Sequence, residues 1–353
     1  MRGMLMIGTQ STRLIARAIW QSLLLVTLVF AGLEFVFKLL DEMKSPYTQY
    51  TLTQMVGVSA LGLPRRLYLD LPLIVLIGVA AGLGGLAQHS ALTVLRASGL
   101  SIGQILMKAI VSLVPLLVGV LLIAQIGMPQ AEEWAQSLKS QYTRGDSSAA
   151  LWTRDSNRYV WLRGDADGSI ASWRHLTIDP DTRQLATVVD SEQVHLDSGK
   201  VRLDEAVQLQ MTAEQIVLTQ APLSFETGLQ AEGVRWLILP AEQLSLSELW
   251  VAQQFLRSQG LEVRQHAQVF WQRMTLPVTL TVLALLAAVT AFGSFRSMSV
   301  STRVFAAVLA GLVFKYVVDM AAPFTLLVGW HPSLAVLLPL VIPMLLIPRL
   351  LRR

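Results

Sequence analysis

Six apolar stretches, each near the length that crosses a bilayer, leave few folds open to this chain. They run from Leu14 to Phe37, Leu63 to Ala87 with a more polar lead-in from Thr51, Ile105 to Met128, Met274 to Phe292, Val304 to Leu326, and Pro332 to Leu350. A hydrocarbon core about 30 Å thick takes roughly 20 residues of helix. In lipid every backbone polar group must find its partner within the protein, so spans are helices or closed barrels, and runs of this length are helices. The remaining composition agrees: 53% of the residues are hydrophobic and 15% charged, against about 25% charged in an ordinary soluble domain. Pro64, Pro72, Pro115, Pro277, Pro339 and Pro343 fall in or near these stretches and are expected to kink rather than break them. The first stretch is too long, and lacks the small-residue site, for a cleaved signal, so it is expected to persist as a helix.

Charge placement orients the bundle. Lys and Arg beside membrane helices concentrate on the cytoplasmic side. Arg2, Arg13 and Arg17 precede the first span, Arg96 and Lys108 separate the second from the third, Arg296 and Arg303 the fourth from the fifth, and Arg349, Arg352 and Arg353 end the chain. With six alternating spans all four groups share one face, which puts both termini of this inner-membrane chain in the cytoplasm. The net charge of +4 therefore reads as a topology signal and not as a nucleic-acid surface.

The opposite face receives the long segment from about Pro129 to Arg273. Outside it the acidic residues are Glu34, Asp41, Glu42, Asp70 and Asp319 alone. Ala131 to Tyr142 reads as a helical continuation. Alternating runs follow at Tyr159–Leu162, Gln193–Leu196, Lys200–Leu203 and Gln215–Leu218, parted by turn residues at Gly164–Gly168, Asp179–Asp181 and Asp197–Gly199. From Ser245 to Gly260 the helical period returns, with Leu246, Leu249, Trp250, Gln253 and Leu256 on one face. The expected fold is a polytopic α-helical membrane protein with an inserted β-rich domain. Its parts are residues 1–128 (three spans), 129–265 (the outer domain with flanking helices) and 266–353 (three spans).

No residue pattern points to catalysis. The chain lacks a G-x-x-x-x-G-K-[ST] phosphate loop, an H-E-x-x-H pair and a G-x-S-x-G elbow, and it has no cysteine for a disulfide, a thiolate site or a nucleophile. His89, His175, His195, His266 and His331 are scattered, which disfavours a metal site. Asp165 and Asp167 beside Gly168 lack the further ligands of a calcium loop and read as a solvated turn. No cofactor and no metal is expected.

Charges within the apolar spans carry more information. Glu34, Lys38 and Asp41 fall on one helical face at the end of the first span. A charge at membrane depth costs about 2.5–3.5 kcal/mol, so such residues point to function unless they neutralise one another. Glu34 and Lys38 are correctly ordered for an i, i+4 pair; alternatively, Lys38 with Lys44, Arg65 and Arg66 forms a cationic rim suited to an anionic amphiphile. Lys315 and Asp319 make a second i, i+4 pair, read as ordering the bundle. Gly78, Gly82, Gly84 and Gly85 allow close helix approach. The stretch Gln88-His89-Ser90-Ala91-Leu92-Thr93-Val94-Leu95-Arg96-Ala97-Ser98-Gly99 suits a short rigid helix that could seat in a partner's groove.

In order and spacing, Leu63-Pro64, Gly82-Leu83-Gly84, Leu86-Ala87-Gln88 and Leu95-Arg96-Ala97-Ser98-Gly99 resemble the lipopolysaccharide export permeases LptF and LptG. Leu151-Trp152 agrees, and Phe292-Gly293-Ser294-Phe295-Arg296-Ser297 before Arg303-Val304 is similar to the G subunit in particular. The resemblance covers essentially the whole chain. It implies six spans, a periplasmic β-jellyroll between the third and fourth, and a heterodimer with an LptF-like subunit. It further implies a cytoplasmic LptB ATPase dimer and transfer of lipopolysaccharide through LptC to a periplasmic bridge, with this chain non-catalytic. By its spacing to Pro64, Lys38 matches the family lysine that contacts the glycolipid headgroup. Gln88, His89, Ser90, Ala91 and Arg96 match the helix that couples to the ATPase. There the family usually carries a glutamate after the serine and this chain has Ala91, which leaves the contact to groups such as Arg96 or His89.

Two other classes stay open. A force-transmitting or signalling subunit of an ABC system would share the architecture without moving lipid. Ion-driven secondary transport would need paired carboxylates or broken helices at the midplane, for which Lys315 and Asp319 are the deep candidates.

Overall fold

The computed structural model describes residues 2–44, 51–127, 130–131, 134–135, 150–155, 158–164, 169–179, 184–197, 200–211, 216–227, 231–258, 263–292 and 299–352. The chain divides into two compact units. One comprises residues 1–45, 59–128 and 263–353, the other residues 46–58 and 129–262.

The first unit is helical. It contains α1 (Arg2–Met43), α3 (Leu63–Gln88), the short α4 (Ala91–Ala97), α5 (Ile102–Leu122), α8 (Arg264–Val289), α9 (Val300–Val328) and α10 (Leu334–Arg352). The brief helix α2 (Leu52–Leu61) straddles the division between the units. Among the described residues, five helices are long and apolar enough to cross a membrane, namely those carrying α1, α3, α5, α8 and α9. The apolar stretch of α10, Leu334–Arg349, is shorter. At 1.5 Å per residue α10 as a whole is about 28 Å long. Pro72, Pro115, Pro277, Pro339 and Pro343 all lie inside continuous helices. Around Pro277, which cannot donate its own bond, Thr275, Thr279 and Thr281 each donate a hydroxyl to the carbonyl four residues back.

The central helix is α3, whose Ile74–Ala80 run is buried throughout. Ile15, Ile19 and Leu23 of α1, one turn apart, bury against it, and Gly78 and Gly82 of α3 bring the two backbones together. Gly311 of α9 does the same against Leu73 and Leu76. Two polar contacts fasten α1 to α5: the Trp20 indole N–H donates to the Ser112 carbonyl at 2.9 Å, and the Lys108 ammonium donates to the Ser11 hydroxyl. Helix α5 begins on a reciprocal cap in which the Ser101 hydroxyl accepts from the Gln104 N–H while the Gln104 side chain accepts from the Ser101 N–H.

The second unit is built on one antiparallel sheet of seven strands: β1 (Ala150–Asp155), β2 (Arg158–Gly164), β3 (Ile170–Ile178), β4 (Leu185–Ser191), β5 (Val194–Asp197), β6 (Lys200–Met211) and β7 (Ile216–Glu226). The order is β1-β2-β3-β4-β6. The first half of β6 pairs with β5, the second half with β4, and β7 runs along its other edge. An irregularity between Leu203 and Ala206 separates the two halves. One face packs Val160, Leu162, Trp173, Val189, Val201, Leu203 and Ala206 against Val234 and Ile238 of α6 (Ala231–Ile238).

Helix α7 (Leu246–Ser258) fulfils the expectation for Ser245–Gly260 with one change. It buries Leu249, Ala252, Gln253 and Leu256, while Trp250 is exposed. On β2, Trp161 lies on the face away from the core, because its neighbours Val160 and Leu162 are the buried ones. Most of the continuation expected at Ala131–Tyr142 falls outside the described residues. So do the turns at 165–168, 180–181 and 198–199, and the 293–297 run.

Candidate functional site

Every acidic side chain outside residues 129–262 pairs with a cation at the end of the bundle where α1 finishes and α3 begins. The Arg66 guanidinium of α3 reaches Glu34 at 2.8 Å and Asp41 at 3.5 Å, both on α1. The Lys38 ammonium meets Glu42, one turn on in α1, at 2.8 Å. The Lys315 ammonium of α9 lies 3.7 Å from Asp70 of α3 and 3.9 Å from Asp319 on its own helix.

This differs from the i, i+4 pairing of Glu34 with Lys38. Both Glu34 and Glu42 stand four residues from Lys38, and the choice falls to Glu42 because Arg66, from another helix, takes Glu34. The Lys315–Asp319 pair is also not enclosed: Asp319 is 57% exposed, and the buried member of the group is Asp70. Asp70 and Glu42 were not singled out by sequence reasoning. For Asp70 the signal was available, since a lone carboxylate inside the second apolar span must have a partner.

The other rim cations lie nearby in sequence. Arg65 is half-buried beside Arg66, and Lys44 is exposed just past α1, its backbone N–H donating to the Asp41 carbonyl at 3.3 Å. The cations at this end therefore sit among internal counter-ions. Next to them stand apolar helix faces without cover in this chain: Leu33, Val36, Phe37 and Leu40 of α1, and Leu312, Tyr316 and Met320 of α9.

At the opposite end of α3 the chain makes a sharp turn into α4. Ser90 adopts φ 56°, a left-handed conformation unusual for a residue with a side chain, and Gly99 closes the segment at φ 95°. His89 contacts the Gly85 carbonyl at 2.9 Å through Nδ1, and the Ser98 hydroxyl donates to the Leu95 carbonyl at 2.8 Å. Leu92 anchors the helix by burial, whereas Gln88, His89, Ser90 and Arg96 are exposed and Ala91 is half-buried. Beside it a pocket of about 320 Å³ is lined by Ala87, Leu92, Thr93, Arg96, Ala97, Ala291 and Phe292. The expected coupling residues thus share one exposed end of the bundle, separated by the length of α3 from the ion pairs.

The sheet carries a third feature. On the face away from the core, the strand register aligns Tyr159, Leu176, Val188, Leu209 and Leu218 across five strands. The adjacent row runs Trp152, Trp161, Arg174, Asp190, Val207 and Gln220. A groove of about 950 Å³ lies over these rows, with Leu176, Val188, Val207 and Leu209 lining it beside Arg174, Asp190, Glu192 and Glu205. Arg174 pairs with Asp190 at 2.6 Å and stacks its guanidinium 5.4 Å from the Trp161 ring. The groove thus mixes apolar side chains with charged and amide ones. Among the described residues no group of three or more His, Cys, Asp or Glu is arranged to hold a metal ion.

Comparison with known proteins agrees with these features. The family model described as lipopolysaccharide export system permease LptF/LptG matches residues 13–353. The Escherichia coli K12 protein named lipopolysaccharide export system permease protein LptG is 26% identical over 340 residues, covering 93% of each chain. The Haemophilus influenzae protein of the same name is 24% identical over 335 residues, covering 93% of this chain and 94% of that one. The chain is thus a multi-pass membrane protein that belongs to the lipopolysaccharide export system permease LptF/LptG family.

Proposed function

We propose that this chain is the G-type permease subunit of an ABC exporter that draws lipopolysaccharide from the outer leaflet of the inner membrane and delivers it to a periplasmic bridge. The observation that carries the reading is the ion-pair cluster at one end of the bundle, set beside uncovered apolar faces of α1 and α9. Anionic phosphates meet cations there while acyl chains meet hydrocarbon. Lys38, Lys44, Arg65 and Arg66 are the substrate-binding residues.

In this proposal α1, α3, α5, α8, α9 and α10 are the six spans, and both termini are cytoplasmic. Arg13 and Arg17, Arg96 and Lys108, and Arg349 support that orientation by the positive-inside rule. The aromatic groups at the other end of α8 and α9 support it too, with Trp271 5.8 Å from His331 and Trp330 6.1 Å from Phe324, as in an interfacial belt. Residues 129–265 then form the periplasmic domain, a half-open jellyroll whose groove face receives the lipid, between helical blocks 1–128 and 266–353. An LptF-like partner faces α1 and α9 across the space that the lipid enters. An LptB-like ATPase dimer seats on Gln88, His89, Ser90, Ala91 and Arg96 of the α4 region and supplies the hydrolysis for which this sequence has no phosphate loop. LptC accepts the lipid from the sheet.

Two measurements test the reading. A photoreactive residue at Leu209, in the floor of the groove, is expected to form lipopolysaccharide adducts in the assembled, ATP-driven complex. Protein adducts alone would instead favour a force-transmitting subunit. Lys38→Gln, made together with Glu42→Gln so that no buried carboxylate loses its partner, is expected to lower adduct yield at the end of α1 by about tenfold or more. That is the loss of one charge-assisted hydrogen bond of about 1.5–3 kcal/mol. Unchanged adduct yield and export would remove Lys38 from the site.

A further inference from the structure

We propose that Lys315 is an additional headgroup-binding residue, and that its bridge to Asp70 is a latch between α9 and α3 which a phosphorylated glycolipid opens by ion exchange. This rests on the transport reading above and adds a gate to it.

Three observations converge on the latch. The ion pairs of this cluster differ in length, with Arg66–Asp41 intermediate at 3.5 Å. Arg66–Glu34 and Lys38–Glu42 are close contacts at 2.8 Å, whereas Lys315 stands 3.7 Å and 3.9 Å from its two carboxylates. Those distances are longer than the close contacts of Arg66 and Lys38, so Lys315 is the more loosely held cation. A phosphate monoester, carrying about −1.5 to −2 charge and three acceptor oxygens, offers Lys315 a shorter and stronger contact than either carboxylate does.

Exposure fixes the direction of exchange. Asp70 is buried while Lys315 is about one-third exposed, so the ammonium can turn outward with Asp319 and leave Asp70 where it is. Arg66, which holds Glu34 and Asp41, lies one turn before Asp70 on α3.

The mechanical setting completes the argument. Helix α9 is exposed along most of its length; among its described side chains only Gly311 and Thr325 are buried. Gly311 touches Leu73 and Leu76 of α3 one turn before Lys315. The contact at Gly311 acts as a pivot and the Lys315–Asp70 bridge as the tie beside it. Exchange of the tie for a headgroup frees this end of α9 to move away from α3, which opens the bundle where the lipid has bound.

The test uses the whole complex in nanodiscs. The chain has no cysteine of its own, so spin labels placed at Leu69→Cys on α3 and Leu312→Cys on α9, both exposed positions, report the separation once the partners are also made cysteine-free. Rough-type lipopolysaccharide is expected to shift the distribution to longer distances. Lys315→Gln and Asp70→Asn both remove the tie and are expected to show the long distance before lipid is added, with no further shift on adding it; Lys315→Gln alone is expected to weaken binding about tenfold or more. A photoreactive group at Phe37 reports binding independently. Adducts at Phe37 with an unchanged distance would overturn the latch and leave transport standing; no adducts at all would remove both. The same lengthening with phosphatidylglycerol alone would overturn the assignment to a phosphorylated glycolipid.

Discussion

Trp173→Ala is expected to cost the sheet unit about 3–5 kcal/mol, the range for removing a fully buried aromatic side chain. Trp173 lies on β3 with no exposed surface, between Leu162 of β2 and Ser191 of β4 in register, and its ring is 5.8 Å from that of Phe225 on β7. It therefore joins strands that are not neighbours in the sheet. Its indole N–H donates to Nδ1 of His175 at 3.0 Å, which places the proton of that neutral ring on Nε2. Alanine removes the packing and leaves the buried His175 nitrogen without this donor. Trp173→Phe keeps most of the ring area and removes the donor, so it is expected to cost a smaller amount, with about 0.5–1.5 kcal/mol assigned to the hydrogen bond. Hydrogen exchange of the intact chain separates the two, because amides of β2, β3 and β4 lose protection while those of α3 and α8 do not. Equal protection in Trp173→Ala and the parent chain would refute the role of this residue as the keystone of the sheet.

Much of this architecture was legible in the sequence, and what was missed follows from where the information resides. A bilayer imposes length and apolarity on each span separately, so the spans read directly from their residues. The limits moved at several helices: α1 runs from Arg2 to Met43, α8 begins at Arg264 and not at Met274, the lead-in from Thr51 is the separate helix α2, and the apolar stretch of α10 is shorter than the other five. Strands β2, β5, β6 and β7 announced themselves by alternation. β3 and β4 did not, because Arg174, His175, Thr177 and Asp190 break the apolar pattern on both faces. Trp250 shares the helical spacing of Leu249 and Gln253 but is exposed, while Leu249 and Ala252 fill the interior.

The ion pairs were the least legible part. Lys38 has a carboxylate four residues away in each direction, and intrahelical spacing cannot choose between Glu34 and Glu42. The choice is made by Arg66, thirty-two residues beyond Glu34 and on another helix. The same holds for Asp70 and Lys315, which only the packing of α9 on α3 brings together. Membrane insertion makes such pairing obligatory without naming the partners.

The packing of α1 on α3 gives the second large effect. A Cβ built at Gly82 would stand 2.8 Å from the Ala18 carbonyl oxygen and 3.0 Å from the Ile19 Cα. Both are backbone atoms of α1, so no side chain can turn aside; the helices must separate along the seam where Ile15, Ile19 and Leu23 are buried. Overpacking a well-filled interior costs about 1–3 kcal/mol where side chains can yield, and Gly82→Leu is expected to exceed that range. Gly85 is the control within the same helix, since nothing lies within 4 Å of the corresponding point. Gly85→Ala is expected to be neutral or to stabilise by up to about 1 kcal/mol through helix propensity. Thermal unfolding of the purified protein in detergent, followed by helical circular dichroism, distinguishes them: a large drop in midpoint for Gly82→Leu with none for Gly85→Ala locates the α1–α3 seam at Gly82. Because Glu34, Lys38 and Asp41 ride on α1 while Arg66 and Asp70 ride on α3, a seam forced open at Gly82 should also disperse the ion pairs and reduce lipid adducts at Phe37. Equal midpoints for the two variants would refute the close approach.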